Sequence, residues 1–276
     1  WHMHEMLFGY GTAALAGFIL TAVPNWTGRL PVSALPLLGL VLVWVAGRLV
    51  MLAPGLVGEG VAATADSAFL PVLAFVIGRE VIAGRNWKNL RVLLVISALA
   101  LANIAFHLAL AQGWDEMIVA RLGVSLYVVM LSLIGGRIVP SFTRNYLARQ
   151  AGARVPRPFG RIDQAAFATT IAALALWSIT LEGWLVAALS ALAAVMQAVR
   201  LWGWRGGKTT SEPLLVILHV GYAFVPLGFA AIALAALGIW AQASALHLLT
   251  VGAIGVMTLA VMTRASLGHT GRKLTA

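Results

Sequence analysis

The sequence predicts an all-α protein, a polytopic transmembrane helix bundle of nine spans. Three observations carry this expectation. Apolar residues fill 61% of the 276 positions and charged residues 10%, whereas a soluble domain has roughly 25% charged residues. The apolar positions gather into nine runs close to the ~20 residues that a helix needs to cross a bilayer. The basic residues between those runs fall almost entirely on one side.

The runs are Met6–Val23, Leu35–Leu52, Thr64–Gly78, Leu90–Ala111, Ile118–Val139, Asp163–Ile179, Trp184–Leu201, Pro213–Leu237 and Ala243–Met262. None has the pattern of a cleavable signal peptide. Their ends can be justified in order. The first run closes on Arg29; the third is separated from the fourth by Arg79, Arg85 and Lys88, and Arg91 stands at the start of the fourth. The fifth carries Arg137 at its end and is followed by Arg144, Arg149, Arg154, Arg157 and Arg161; the seventh carries Arg200 at its end and is followed by Arg205 and Lys208. The ninth is followed by Arg264, Arg272 and Lys273. If nine helices alternate in direction, these 17 of the 19 basic residues share one side, and only Arg48 and Arg121 lie opposite. Lys and Arg are retained on the cytoplasmic side. The expected topology therefore puts Trp1 outside and Ala276 on the cytoplasmic side of the membrane. It also explains the net charge of +10 without nucleic acid as a partner. The chain is expected to form a single transmembrane domain over residues 1–276. It begins with Trp, not Met, so a preceding segment is expected.

Internal similarity predicts a degenerate four-helix repeat. The first, fifth and ninth runs lead into "TAVPNWTGR", "RIVPSFTRN" and "RASLGHTGR". Aligning Thr27, Thr143 and Thr270 matches Pro24 with Pro140 and Arg137 with Arg264. His4 and His247 each stand 23 residues before their threonine. Coincidence among apolar helices of simple composition is the competing explanation.

Ionisable groups inside spans cost roughly 2.5–3.5 kcal/mol each on insertion scales and are functional suspects by default. At 1.5 Å of rise per residue, His107 and His247 lie ~6 Å below the outer ends of their helices. His2 and His4 stand at the mouth of the first helix, in "WHMHEMLFGY". Glu5, Asp66, Arg48 and Arg121 belong to the same outer layer. Sequence gives depth here and not lateral distance. Toward the inner side, His219 lies about 9 Å into its helix, with Tyr222 one turn on. His269, Arg137 and Arg264 are near that level.

The chain has no cysteine, so disulfides, iron–sulfur clusters and thiolate metal sites are excluded. Metal binding must use histidine, methionine and carboxylates, which suit haem iron and copper. Arginine is a good bidentate partner for haem propionates; Arg48, Arg121, Arg137 and Arg264 are the candidates. Plainer readings stand beside these. An intramembrane histidine such as His107 often only hydrogen-bonds between helices. Arg48 and Asp66 have mutual neutralisation as a second role. Asn103 and His107, four residues apart, share a helix face. His2 and His4, two apart, do not. Tryptophans near helix ends read as interface anchors, and Met130, Met257 and Met262 as core fillers.

Several strings are long and unusual: "WHMHEMLFGY", "AGFILTAVPNWTGR", "IGGRIVPSFTRN", "EPLLVILHVGYAFVPLG" and "ALHLLTVGAIGVMTLAVMTRASLGHTGR". Together, and in this order, they resemble the NnrS family over almost the whole chain. The resemblance implies a bacterial inner-membrane protein of about twelve spans, associated with haem, copper and responses to nitric oxide. One helix would then precede Trp1 and about two would follow Ala276. The family's motif histidines fall on His2, His4, His107, His219, His247 and His269. The expected partners are the lipid bilayer, nitric oxide and an electron donor of unspecified kind. A secondary transporter with an intramembrane proton relay, and a non-catalytic haem or copper sensor or assembly factor, remain open as alternatives.

Overall fold

In a bilayer, each backbone N–H and C=O must find a partner within the protein, which leaves helices as the means of crossing for a chain of this pattern. The computed structural model describes residues 1–271, and of His269 the backbone only. Among the described residues, nine helices are long and apolar enough to span a membrane. They are α1 (His2–Thr27), α2 (Ala34–Leu52), α3 (Glu59–Ala83), α4 (Trp87–Gln112) and α5 (Glu116–Leu147), then α6 (Arg161–Ile179), α7 (Trp184–Lys208), α8 (Pro213–Ala236) and α9 (Gln242–Gly268). The protein is therefore a multi-pass membrane protein in contact with lipid.

Several helices, α3 and α7 among them, outrun their apolar cores. α1 continues through Pro24 to Thr27, and α5 through Pro140 to Leu147, eight residues past the predicted end at Val139. α9 continues from Met262 to Gly268. Hydropathy ends where charge begins, but packing does not. The extension of α5 buries Val139, Thr143 and Leu147, one every fourth residue, so one stripe stays packed while the rest turns polar. α1 stops at Gly28, whose φ of 70° places it in the left-handed region while its N–H caps the Pro24 carbonyl.

The chain divides into two compact units, Trp1–Leu126 and Tyr127–Ala276, with the division falling inside α5. In the first, α1 packs on α3 and α3 on α4. α2 buries only Leu40 and Gly47 of its own residues. A side chain at Gly47 would reach 3.2 Å from the Asp66 Cα. That glycine lets α2 lie close against α3 and brings the next residue, Arg48, alongside Asp66. In the second unit, α7 packs between α6 and α8, and α8 against α9. Its core includes Val139, Trp204, Leu218, Tyr222 and Met257.

α1, α5 and α9 each contain a π-helical stretch: Glu5–Tyr10, Leu131–Gly135 and Leu248–Gly255. In α1 and α9 the stretch begins directly after His4 and His247, in the register of the repeat; in α5 it lies ten residues later than that register expects. Thr27, Thr143 and Thr270 each donate a hydrogen bond to the carbonyl four residues back, at 2.9, 2.9 and 2.8 Å.

Candidate metal centre

The first unit gathers five side chains of the expected outer layer, His4, Glu5, Arg48, Asp66 and His107, and adds Asn103, one turn from His107 on α4. His4 is buried in α1, at 1% exposure, and opens the π stretch. Asp66 is buried in α3, and Asn103 and His107 follow one another on one face of α4. Their contacts converge on one carboxylate oxygen. Asp66 Oδ2 lies 2.8 Å from His107 Nε2, 2.9 Å from Asn103 Nδ2 and 3.1 Å from His4 Nε2. The His4 Nε2 is also 3.0 Å from the Asn103 Oδ1. The remaining Asp66 oxygen, Oδ1, accepts from Arg48 Nη2.

Arg48 also donates to both oxygens of Glu5, at 2.6 Å each. Glu5 in turn lies 3.2 Å from His4 Nδ1. Mutual neutralisation of Arg48 and Asp66 thus holds, and it is part of the histidine cluster, not an alternative to it. Gly9 admits the arginine: a Cβ there would come within 2.7 Å of Arg48 Nη1 and 2.8 Å of Glu5 Oε2. The π stretch adds a residue to its turn, and the Gly9 carbonyl accepts from Trp44 Nε1 at 3.1 Å. That bond fixes α2 to α1 beside the cluster. Aromatic rings close the rest: Phe8 and Phe106 stand 5.3 and 5.2 Å from the His4 ring.

Ligand atoms of His4, Asp66 and His107 lie within 4.8 Å of one another, a spacing that suits a metal ion. Two imidazoles and a carboxylate form a donor set used by first-row transition metals. A metal at His4 Nε2 would take the place of the proton that this nitrogen turns toward Asn103 Oδ1 and Asp66 Oδ2, with the other ring proton on Nδ1, toward Glu5. A carboxylate oriented behind a histidine is the usual outer support of a metal ligand.

The other sequence candidates lie elsewhere. His2 is exposed one step outside the cluster. Arg121 is buried on the first-unit part of α5. In the second unit, His247 is exposed, and its Nδ1 donates to the Ala243 carbonyl at 2.7 Å. His219 is buried; its Nδ1 donates to the Leu215 carbonyl at 2.9 Å and its Nε2 is 3.3 Å from Thr143 Oγ1. Arg137 is exposed, and Arg264 stacks over the Phe142 ring at 4.4 Å. The side chain of His269 lies outside the described residues.

A second buried polar cluster was not anticipated. Arg200, counted among loop cations in the sequence, is buried in α7 at 2% exposure. Its Nε donates to Asp163 at 3.0 Å, and its Nη1 to the Ser132 carbonyl and hydroxyl and to the Tyr222 hydroxyl, each at 3.0 Å. Gln197 donates to Ser132 and Thr170 at 2.9 and 2.8 Å and accepts from Tyr222 at 2.9 Å. The Trp204 ring covers the guanidinium at 5.4 Å. The legible signal was Gln197 and Arg200, two polar residues one turn apart in the otherwise apolar "ALAAVMQAVRLW".

Fold and site together define a class: an α-helical, multi-pass membrane protein with a histidine–carboxylate cluster buried among its first four helices. The chain belongs to the NnrS family, since the family model described as NnrS protein matches residues 1–276, its whole length. No curated protein and no solved structure matches it.

Proposed function

We propose that the protein binds copper at His4, His107 and Asp66, and haem at His247, and that it handles or protects against nitric oxide. The observation that carries the copper site is the convergence of two imidazole Nε2 atoms on one Asp66 oxygen, with Glu5 behind His4. Charge supports it. Glu5 and Asp66 carry two negative charges against one on Arg48, so with neutral imidazoles a monovalent cation balances the cluster in a medium where unpaired charge is costly.

The same cluster does not fit haem. His4 is enclosed by Phe8, Phe106 and His107, whose ring stands 4.9 Å away, which leaves no slot for a macrocycle. His247 fits better. Its Nδ1–H is held by a backbone carbonyl, so the Nε2 lone pair points out from an exposed ring, the arrangement that orients an axial ligand.

Copper would supply one-electron chemistry and a binding position for a small diatomic ligand. The chain's own contribution is in three parts. Glu5 holds the Nδ1 proton of His4. Arg48 offsets the two carboxylates. Phe8 and Phe106 keep water from the imidazoles. Nitric oxide is small, neutral and lipid-soluble, so it can reach the cluster from the bilayer. An electron donor would be needed for turnover; a sensor or assembly factor would bind the metals without it.

Metal analysis and absorption spectroscopy test this reading. His4→Ala and His107→Ala should lose copper and keep the haem bands, and His247→Ala should do the reverse. Wild-type protein that purifies without metal and without colour would overturn the proposal in favour of a transporter. In that case the buried Asp66 with its two histidines is the proton relay.

The sorting of basic loops supports an inner-membrane location with Trp1 periplasmic and the C-terminal end cytoplasmic. The coincident histidine and π stretch in α1 and α9 support the four-helix repeat.

A further inference from the structure

We propose that the groove between α7 and α8 binds one anionic phospholipid from the leaflet facing the basic loops. The groove has a volume of about 520 Å³. Its walls are apolar along Leu201, Val220, Ala223 and Pro226, and the alanines at 198 and 223 leave it open between the helices. From His219 to Pro226 it follows α8 for seven residues, about 10 Å, far enough to seat the upper part of an acyl chain.

Its mouth is cationic. Arg205 and Lys208 line it and are exposed, and no acidic residue is among those lining it. Trp202, also in the lining and 88% exposed, stands at the level where tryptophan marks the membrane interface. A charged head and an apolar tail thus find their counterparts at the matching depths. Basic pockets between transmembrane helices recognise anionic lipid head groups in this way, and arginine pairs with phosphate through two parallel hydrogen bonds.

The loop is shaped to hold these charges over the groove. Gly206 lies against the His219 ring, so closely that a Cβ would come within 2.7 Å of its Cγ. Arg205 adopts φ 63°, in the left-handed region that favours glycine. Glycines follow it at 206 and 207, yet the strained position itself carries a cation, which fits use of the charge. Both ring nitrogens of His219 are already engaged, with Leu215 and Thr143, so in the lipid site His219 is a wall and Arg205 and Lys208 are the phosphate partners.

The test is native mass spectrometry of the delipidated full chain with added dioleoyl phosphatidylglycerol or dioleoyl phosphatidylcholine. Two interfacial cations predict retention of one phosphatidylglycerol per chain with a preference of roughly thirtyfold. Arg205→Gly combined with Lys208→Gln should abolish that preference. Glycine is at ease at φ 63°, so this variant removes the charge without loading the backbone. Ala223→Leu keeps both charges and fills the groove, and should also lose the lipid. Equal retention of the two lipids, preference surviving in either variant, or displacement of the phosphatidylglycerol by millimolar inorganic phosphate would each overturn the proposal. The last result would mark a free-anion site.

Discussion

Gly136 stands where any side chain would run into the guanidinium of Arg200. The tip of an arginine can usually move aside. This one is tied to Asp163, Ser132 and Tyr222 and lies under Trp204. Gly136→Ala should therefore destabilise the second unit by about 1–3 kcal/mol, the range for overpacking. Thermal unfolding in detergent measures it, and a variant as stable as the wild type would show that Arg200 is free to move.

Arg200 and Asp163 form a buried ion pair, 3.0 Å apart. Removing Asp163 strands the buried guanidinium, and removing Arg200 leaves Asp163 only the partly exposed Arg157, 3.8 Å away; loss of one partner of a buried pair costs about 3–5 kcal/mol. Arg200→Met and Asp163→Asn should each lose that much. The double variant should recover most of it. It should keep a deficit of about 1 kcal/mol, because Ser132 and Tyr222 lose the hydrogen bonds that Arg200 donates, while an asparagine at 163 can still accept the Gly160 N–H at the start of α6. A double-mutant cycle on folding stability reads the coupling, and additive losses would refute it.

Glu5→Gln tests the outer support of the proposed copper site. Glutamine still accepts a hydrogen bond from His4 Nδ1 but brings no charge, and it disturbs the pair with Arg48. Loss of such a group typically lowers metal affinity 10–100-fold. Competitive chelation should show that drop with the helical content unchanged. Unaltered affinity would remove Glu5 from the site.

Gly9→Ala should act on the same site through sterics. The added methyl meets both Arg48 and Glu5, so copper occupancy should fall while the haem bands remain. Equal loss of both signals would indicate general misfolding and not a local effect.

A reporter fused after Arg154, in the loop between α5 and α6, should read as cytoplasmic. A periplasmic reading would reverse the orientation inferred from the basic loops.

The number of spans and the sorting of their charges were legible because both are local properties: hydropathy over ~20 residues and the composition of short loops. Depth was legible too, since helical rise converts position to height, and it placed His4, Glu5, Arg48, Asp66 and His107 in one layer. Which of that layer would meet was decided by the tertiary structure. Helices that are apolar all round carry no stripe to show which face turns inward. Their rotation is set by close contacts such as Gly9 on Arg48 and Gly47 on Asp66. For the same reason His2 and His4, two residues apart, part company, one exposed and one buried. Arg200 read as a loop cation because the sequence shows the end of an apolar run. Only packing shows that Asp163, Ser132 and Tyr222 arrive from three other helices to receive it.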